Sequence, residues 1–213
     1  MHLYWHGLTS VRIESSLGDT SCTLLTDPYG SEAGLRFPKT IEPNVLVLSY
    51  QDRKQFALDA LKNKPFLIAD PGEYEVQGVF VFGTPLQAEG AKAPFPLLYR
   101  FEIEGMSIGF LGGINQVPTE ELLGRLENID ILLLPVGGGP YLDPKKAKEI
   151  VLELEPRIVV PLGFATDGCT LPLAAADMFC KEVGGTRQDG NKLKIARKDL
   201  PAEQLVVFVP ERA

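Results

Sequence analysis

Residues 131–161, ILLLPVGGGPYLDPKKAKEIVLELEPRIVVP, contain one complete strand–helix–strand pattern. Ile131–Pro135 and Ile158–Pro161 are continuous apolar runs, which are typical of strands covered on both faces. Between them, Asp143 can cap a helix that Pro144 begins, and the apolar residues of that helix recur at i, i+3, i+4 and i+7. The stretch therefore predicts a strand–helix–strand unit of an α/β protein.

Short strand-like runs fill the region that precedes this unit. Leu3–Trp5, Val11–Glu14 and Cys22–Leu25 are separated by turn signals, and connections this short favour antiparallel hairpins. Val45–Leu48 is a further buried apolar run, and the apolar spacing within Phe56–Leu61 suggests a short helix after it. The first half of the chain is therefore expected to be mainly a β-sheet.

The region that follows the unit continues the α/β pattern. Thr170 is expected to cap a helix that runs to Val183, and Leu193–Ile195 and Leu205–Val209 are expected to form a closing strand pair. Antiparallel strands followed by strand–helix–strand units predict an α/β fold in which two mixed sheets face each other with helices outside, a four-layer αββα sandwich. We expect one such domain over residues 1–213.

Composition narrows the classes of partner and compartment. The chain has 213 residues, of which 45% are hydrophobic and 23% charged, and these values are ordinary for a folded globular protein. Its formal net charge of −7 makes nucleic acid an unfavourable partner. No apolar run approaches the ~20 residues of a membrane span, so no membrane partner is expected. The absence of a secretory signal pattern, together with three widely spaced cysteines, Cys22, Cys169 and Cys180, favours the cytoplasm.

Five motifs follow one another in the sequence: Trp5–Ile13 (WHGLTSVRI), Leu25–Tyr29 (LTDPY), Pro71–Val76 (PGEYEV), Leu133–Gly139 (LLPVGGG) and Glu155–Pro161 (EPRIVVP). In this order they resemble the motifs of metallo-β-lactamase-fold hydrolases, and especially the branch related to ascorbate-6-phosphate lactonase. The resemblance implies the metallo-β-lactamase-like αββα sandwich. In that family, histidines and carboxylates hold one or two metal ions that generate the attacking hydroxide.

The metal ligands that the resemblance implies are not found at their positions. The family's main ligand motif has the pattern S-H-x-H-x-D-H, and this chain reads SYQDRKQ over residues 49–55. The altered ligand positions that can be placed are Leu8, Tyr50, Asp52, Lys54, Gln55, the segment Gly112–Gln116 and Gly163. The two histidines, His2 and His6, would be about 13 Å apart on one strand, too far to share an ion. We therefore expect no metal and no other cofactor.

Three functions remain open on this basis. The first is a degenerate, metal-free pseudoenzyme without catalytic residues, which serves as a binding or regulatory module and can form homo-oligomers. The second is a polar pocket for a small anionic ligand, whose phosphate or carboxylate Arg53 and Lys54 can hold. The candidate pocket residues are Tyr50, Asp52, Arg53, Lys54, Gln55, Asn115 and Gln116. The third is a hydrolase of small phosphorylated or lactone substrates with a non-standard or metal-free site, for which Ser49 and Cys169 are conceivable nucleophiles without a histidine base.

Overall fold

A computed structural model of the chain describes residues 1–86 and 92–213. Within these residues the chain forms fourteen β-strands and three α-helices. The strands of the first half are β1 (His2–Gly7), β2 (Ser10–Leu17), β3 (Thr20–Thr26), β4 (Val45–Val47), β5 (Phe66–Ile68), β6 (Gly72–Val76), β7 (Val79–Pro85), β8 (Leu97–Ile103) and β9 (Met106–Phe110). The later elements are α1 (Glu120–Gly124), β10 (Ile131–Pro135), α2 (Pro144–Leu154), β11 (Ile158–Leu162), α3 (Ala176–Val183), β12 (Thr186–Gly190), β13 (Leu193–Lys194) and β14 (Val206–Pro210).

The strands form two mixed sheets. The first has six strands in the order β13-β1-β2-β3-β4-β5, and the second has eight in the order β12-β14-β11-β10-β9-β8-β7-β6. In the first sheet β3, β4 and β5 are parallel neighbours, and in the second sheet β9, β10, β11 and β14 are parallel neighbours. The predicted α/β sandwich is therefore confirmed as a fold of two mixed sheets with few helices.

The main hydrophobic core lies between the two sheets. Side chains alternate along a strand, so Val45 and Val47 of β4 join this core while Leu46 faces the opposite side of the sheet. Phe101 and Phe110 of the second sheet pack in the same core as Trp5 of the first. Helices α2 and α3 contact each other and bury their apolar faces against this core. Both faces of the central strands are thus covered, as their continuous apolar runs require.

The outer face of the first sheet differs from the prediction. The helix expected over Phe56–Leu61 is wrong: this segment contains only a 3-10 turn, Leu58–Ala60, and a second 3-10 turn, Arg53–Gln55, precedes it. Between these turns the N–H of Ala57 donates to the carbonyl oxygen of Pro28 at 2.8 Å, so the backbone hydrogen bonds of a continuous helix cannot form. Apolar side chains of this segment, including Phe56 and Leu58, still pack against the sheet.

Two expectations for the last third of the chain are also wrong. Helix α3 begins at Ala176, not near Thr170, because the N–H groups of Thr170 and Ala174 donate to the carbonyls of Ala33 and Gly137. The two predicted closing strands do not pair with each other. Strand β13 pairs with β1 in the first sheet, whereas β14 lies between β11 and β12 in the second.

In the part of the chain that the structure describes, no helix is long and apolar enough to cross a membrane.

Candidate active site

A cavity of about 400 Å³ opens at the carboxyl ends of parallel strands from both sheets. Asp27 directly follows β3, and Ser49 lies two residues after β4, the parallel neighbour of β3. From the second sheet, Gly113 and Ile114 follow β9 and line the same cavity. The carboxyl ends of parallel strands are the usual place for ligands in open α/β sheets, because the backbone leaves the sheet there and loops can diverge. This cavity is therefore the candidate active site.

Asp27 is the central polar group of the cavity. Its side chain is held between β1–β2 and β4, and the residue is only 3% exposed. One carboxylate oxygen, Oδ2, accepts the hydroxyl of Ser49 at 2.6 Å and that of Thr9 at 2.8 Å. The other, Oδ1, accepts the backbone N–H of Ser49 at 2.7 Å. Asp27 therefore fixes both the backbone and the hydroxyl of Ser49, and all three residues line the cavity.

Burial and hydrogen bonding act on Asp27 in opposite directions. Desolvation raises the pKa of its carboxyl group to about 6, while the hydrogen bonds from Ser49 and Thr9 favour the charged form and limit the rise. The other titratable groups that interact with it are the phenols of Tyr99 and Tyr141, whose own pKa values are raised by burial and then by the negative charge of Asp27. At neutral pH the site therefore holds a carboxylate next to uncharged hydroxyl groups.

The remaining lining is a mixture of amides, phenols and apolar side chains. The residues that line the cavity are Thr9, Asp27, Ser49, Tyr50, Gln55, Phe56, Leu86, Pro96, Gly113, Ile114, Asn115, Gln116, Pro140 and Tyr141. Among the residues that the structure describes, Asp27 is the one charged side chain in this lining. Such a surface can hold a small molecule by apolar contact and orient it through a few polar groups.

Tyr141 closes one side of the cavity by packing onto Gly163. A Cβ atom added to Gly163 would lie 2.7 Å from Cδ2 of Tyr141, closer than real Cβ atoms approach. Gly163 also has φ +58, a backbone conformation that favours glycine. The phenol ring thus occupies the space that a side chain at position 163 would need.

Four of the seven predicted pocket residues line this cavity: Tyr50, Gln55, Asn115 and Gln116. The other three are directed to different contacts. Asp52 accepts the backbone N–H of Lys54 and begins a 3-10 turn, and Arg53 forms an ion pair with Asp70 at 3.6 Å. Lys54 follows in the same exposed turn and does not line the cavity. The ligand-binding role of the seven residues stays a prediction.

The donor atoms of the cavity do not fit the histidine-rich metal centre of the resemblance. Its one carboxylate, that of Asp27, already accepts three hydrogen bonds. Over residues 1–86 and 92–213, no group of three or more His, Cys, Asp or Glu side chains is arranged to hold a metal ion. Leu8, at the position of the first histidine ligand, packs with Tyr29 and Leu35 in a small apolar cluster. We therefore derive no step through a metal ion.

Comparison with known proteins identifies the family. A family model described as "Beta-lactamase superfamily domain" matches residues 2–163. The chain belongs to this family. A solved structure from Thermotoga maritima, assigned as a Zn-dependent hydrolase of the metallo-β-lactamase superfamily, superposes on this β-lactamase superfamily member with a TM-score of 0.78 and 26% identity, over 99% of each chain. The metallo-β-lactamase fold that the resemblance implied is thereby confirmed.

Curated relatives of this superfamily member carry the name "UPF0173 metal-dependent hydrolase". The relative from Thermococcus onnurineus is 34% identical over 120 residues, which cover 53% of this chain and 52% of the relative. The relative from Lysinibacillus sphaericus is 25% identical over 201 residues, which cover 78% of this chain and 86% of the relative.

These names contradict the hypothesis of a metal-free pseudoenzyme that acts only as a binding or regulatory module. That hypothesis rested only on the altered residues at the family's metal-ligand positions. The loss of those histidines does not by itself imply that hydrolytic activity is lost. The hypothesis also did not include the contact of Asp27 with Ser49. The usable signal was the position of both residues just after buried strands, which meet at one edge when the strands are parallel neighbours.

Proposed function

We propose that the chain is a hydrolase of small substrates, and that Ser49 and Asp27 carry the reaction inside the 400 Å³ cavity. The observation that carries this proposal is the 2.6 Å hydrogen bond from the hydroxyl of Ser49 to the carboxylate of Asp27, in a cavity wall at the carboxyl ends of the strands. The names of the relatives support the reaction class. Of the two conceivable nucleophiles in the sequence, Ser49 lines the cavity and Cys169 does not.

The geometry assigns Asp27 the part of general base. Its pKa of about 6 leaves the carboxylate ionised at neutral pH, so it can accept the proton of the Ser49 hydroxyl as that oxygen attacks the substrate. The N–H of Ser49, bonded to the second carboxylate oxygen, keeps the base oriented. The hydroxyl of Thr9 stabilises the ionised form of Asp27 and acts as a positioning group.

The same carboxyl group then serves the rest of the cycle. It delivers the proton to the leaving oxygen, and afterwards accepts a proton from the water that releases the product from Ser49. The side-chain amides of Asn115 and Gln116 line the cavity and supply N–H donors for substrate oxygen atoms. Phosphorylated and lactone substrates are both compatible with this scheme as it stands.

Removal of the Ser49 hydroxyl tests the proposal. We expect Ser49→Ala to lower kcat/KM on small ester and phosphoester substrates by roughly 10³-fold or more, because the attacking oxygen is lost. Ser15→Ala is the matched control, since Ser15 is also buried in the first sheet but its hydroxyl donates to the carbonyl of Cys22 away from the cavity. Equal activity of Ser49→Ala and the wild type would refute the assignment.

We also propose that this hydrolase acts in the cytoplasm. The support is chemical: Cys22, Cys169 and Cys180 are all free thiols, as is usual in a reducing compartment. Fractionation of the source cells with an antibody against the protein tests the location, and recovery from the medium or an extracytoplasmic fraction would contradict it.

A further inference from the structure

We propose that the cavity selects uncharged carboxylic esters, lactones included, and disfavours substrates that carry a phosphate or carboxylate. This inference rests on the proposed hydrolase function and adds the charge class of its substrate. The observation behind it is the lining itself, in which amides, phenols and apolar groups surround one buried carboxylate.

The charge of Asp27 sets the first limit on the substrate. Asp27 as a residue is 3% exposed, and solvent therefore screens its carboxylate poorly. Its hydrogen-bond partners are Thr9 and Ser49, and the phenols of Tyr99 and Tyr141 are near enough to feel its charge; none of these groups is a cation. An anionic group about 6 Å away would be opposed by roughly 10- to 100-fold in binding at an effective dielectric constant near 20.

The nearby cations do not compensate this charge. Arg53 is 54% exposed, points to the exposed carboxylate of Asp70 at 3.6 Å, and is absent from the cavity lining. Lys54 lies in the same exposed turn, outside the lining. Sites that hold phosphate or carboxylate groups place Arg, Lys or a row of backbone N–H groups around them. The described part of this cavity has no Arg or Lys in its lining.

The remaining lining suits an uncharged ester. The side-chain amides of Gln55, Asn115 and Gln116 can donate to a carbonyl oxygen and accept from a hydroxyl, and neither contact requires a charge on the substrate. Phe56 and Ile114 add apolar contact area for an acyl chain. A volume of about 400 Å³ limits the substrate to a small molecule.

The reaction on such a substrate is balanced without a further reagent. Oγ of Ser49 bonds to the acyl carbon while the hydroxyl proton passes to Oδ2 of Asp27. The ester C–O bond then breaks, and the leaving alcohol takes that proton; in a lactone the alcohol stays attached to the acyl group. Water adds to the acyl carbon, gives one proton to Asp27, and displaces Oγ, which recovers the proton from Asp27 as the acid leaves.

Matched substrates test the inference. We would measure kcat/KM for 4-nitrophenyl pentanoate, for the 4-nitrophenyl monoester of glutaric acid, which ends in a carboxylate, and for 4-nitrophenyl phosphate. We expect the uncharged ester to exceed the carboxylated ester by roughly 10-fold or more, because of the repulsion from Asp27. We expect less activity still on the phosphate.

Variants of one residue in the cavity lining, Gln116, provide a second test of the charge selection. Gln116 is exposed at the cavity wall, and Gln116→Arg introduces a cation where a long side chain can be accommodated. We expect this variant to reduce the preference for the uncharged ester by roughly 10-fold, whereas Gln116→Met, of similar length and without charge, should retain it.

The outcomes separate the two proposals. If the wild type hydrolyses none of the three compounds faster than Ser49→Ala does, the hydrolase proposal fails and this inference with it. If Ser49-dependent hydrolysis occurs but the carboxylated ester or the phosphate is the better substrate, the hydrolase proposal stands and the charge selection is overturned. An unchanged preference in Gln116→Arg also counts against the charge argument.

Discussion

Asp27 and His6 are two buried titratable groups of the same sheet with opposite surroundings. Asp27 is 3% exposed and His6 is 4% exposed. The carboxylate of Asp27 accepts three hydrogen bonds and borders a cavity. The ring of His6 has one long contact, 3.4 Å from Nδ1 to the carbonyl oxygen of Ala213, and its Nε2 has no hydrogen-bond partner in the described part of the chain.

The difference shows which buried group can take part in chemistry. Burial favours the uncharged form of each group. It therefore raises the pKa of Asp27 to about 6 and lowers the pKa of His6 to about 4. The hydrogen bonds to Asp27 keep it ionised at neutral pH, next to a hydroxyl whose proton it can accept. His6 stays neutral, with the ring of Phe37 beside it, and contributes packing. The histidine, usually the first candidate for catalysis, is here the structural residue.

The largest effect expected from this comparison of Asp27 with His6 follows from removing the charge of Asp27. Asp27→Asn should lower kcat/KM by roughly 100-fold or more, since the amide cannot accept a proton. The hydroxyls of Thr9 and Ser49 can rotate to accept from the new amide, so the fold should be retained. In the wild type, kcat/KM should rise with pH until it levels above about 6, as the carboxyl group of Asp27 ionises.

A pH–rate profile of both proteins checks this prediction. The variant should retain only a low activity without the rise that ends near pH 6. An unaltered profile in Asp27→Asn would remove Asp27 from the reaction.

The next effect concerns stability and is specific to His6. Its folded pKa of about 4 lies below the unfolded value near 6.5, so its contribution to the free energy of unfolding falls as pH drops from 6.5 to 4. His6→Leu should therefore stabilise the protein by about 1 kcal/mol at pH 7, where an unpartnered buried nitrogen is removed, and by more near pH 5. Activity at neutral pH should not change.

Urea denaturation at several pH values measures this difference. Asp27 acts in the opposite direction, because its folded pKa of about 6 lies above the unfolded value of 3.8 and its contribution falls as pH rises between them. In the wild type, His6 and Asp27 therefore change the free energy of unfolding with pH in opposite directions. The stability of His6→Leu should consequently decline from pH 4 to 6, and a profile parallel to that of the wild type would contradict the pKa of His6.

The smallest effect refines the description of Asp27. Thr9→Val removes one donor to Oδ2 and nearly preserves side-chain volume. Because that hydrogen bond favours the ionised form, its loss should move the midpoint of the pH–rate profile upward by less than about one pH unit. The plateau of kcat/KM at high pH should remain within a few-fold of the wild type. A downward shift would show that Thr9 does not stabilise the carboxylate.

The sequence predicted the parts of the fold that depend on local pattern. Apolar runs such as Ile131–Pro135 and the capped helix after Asp143 identified the α/β class, since burial on both faces and an N-cap leave local signals. Strand β12 has the sequence TRQDG without apolar alternation, and we did not predict it. The partner of β13 was predicted wrongly because strand pairing across 190 residues has no local signal.

The candidate site was predictable only in part for a similar reason. The resemblance placed Tyr50 and Asn115 near one cleft, and both line the cavity. The pairing of Asp27 with Ser49 depends on β3 and β4 being neighbours, which only the tertiary structure establishes. The directions of Arg53 and Lys54 depend on the 3-10 turn Arg53–Gln55, for which the sequence holds no periodic signal.

The packing of Tyr141 onto Gly163 has an evolutionary consequence. Any side chain at position 163 would collide with the ring, while a smaller residue at 141 would leave a void over the glycine. The effects of substitutions at positions 141 and 163 are therefore coupled. A lineage that acquired a metal-ligating residue at 163 while Tyr141 was still present would pass through a poorly packed intermediate. In an alignment of related sequences, we expect glycine at 163 and an aromatic residue at 141 to be gained and lost together.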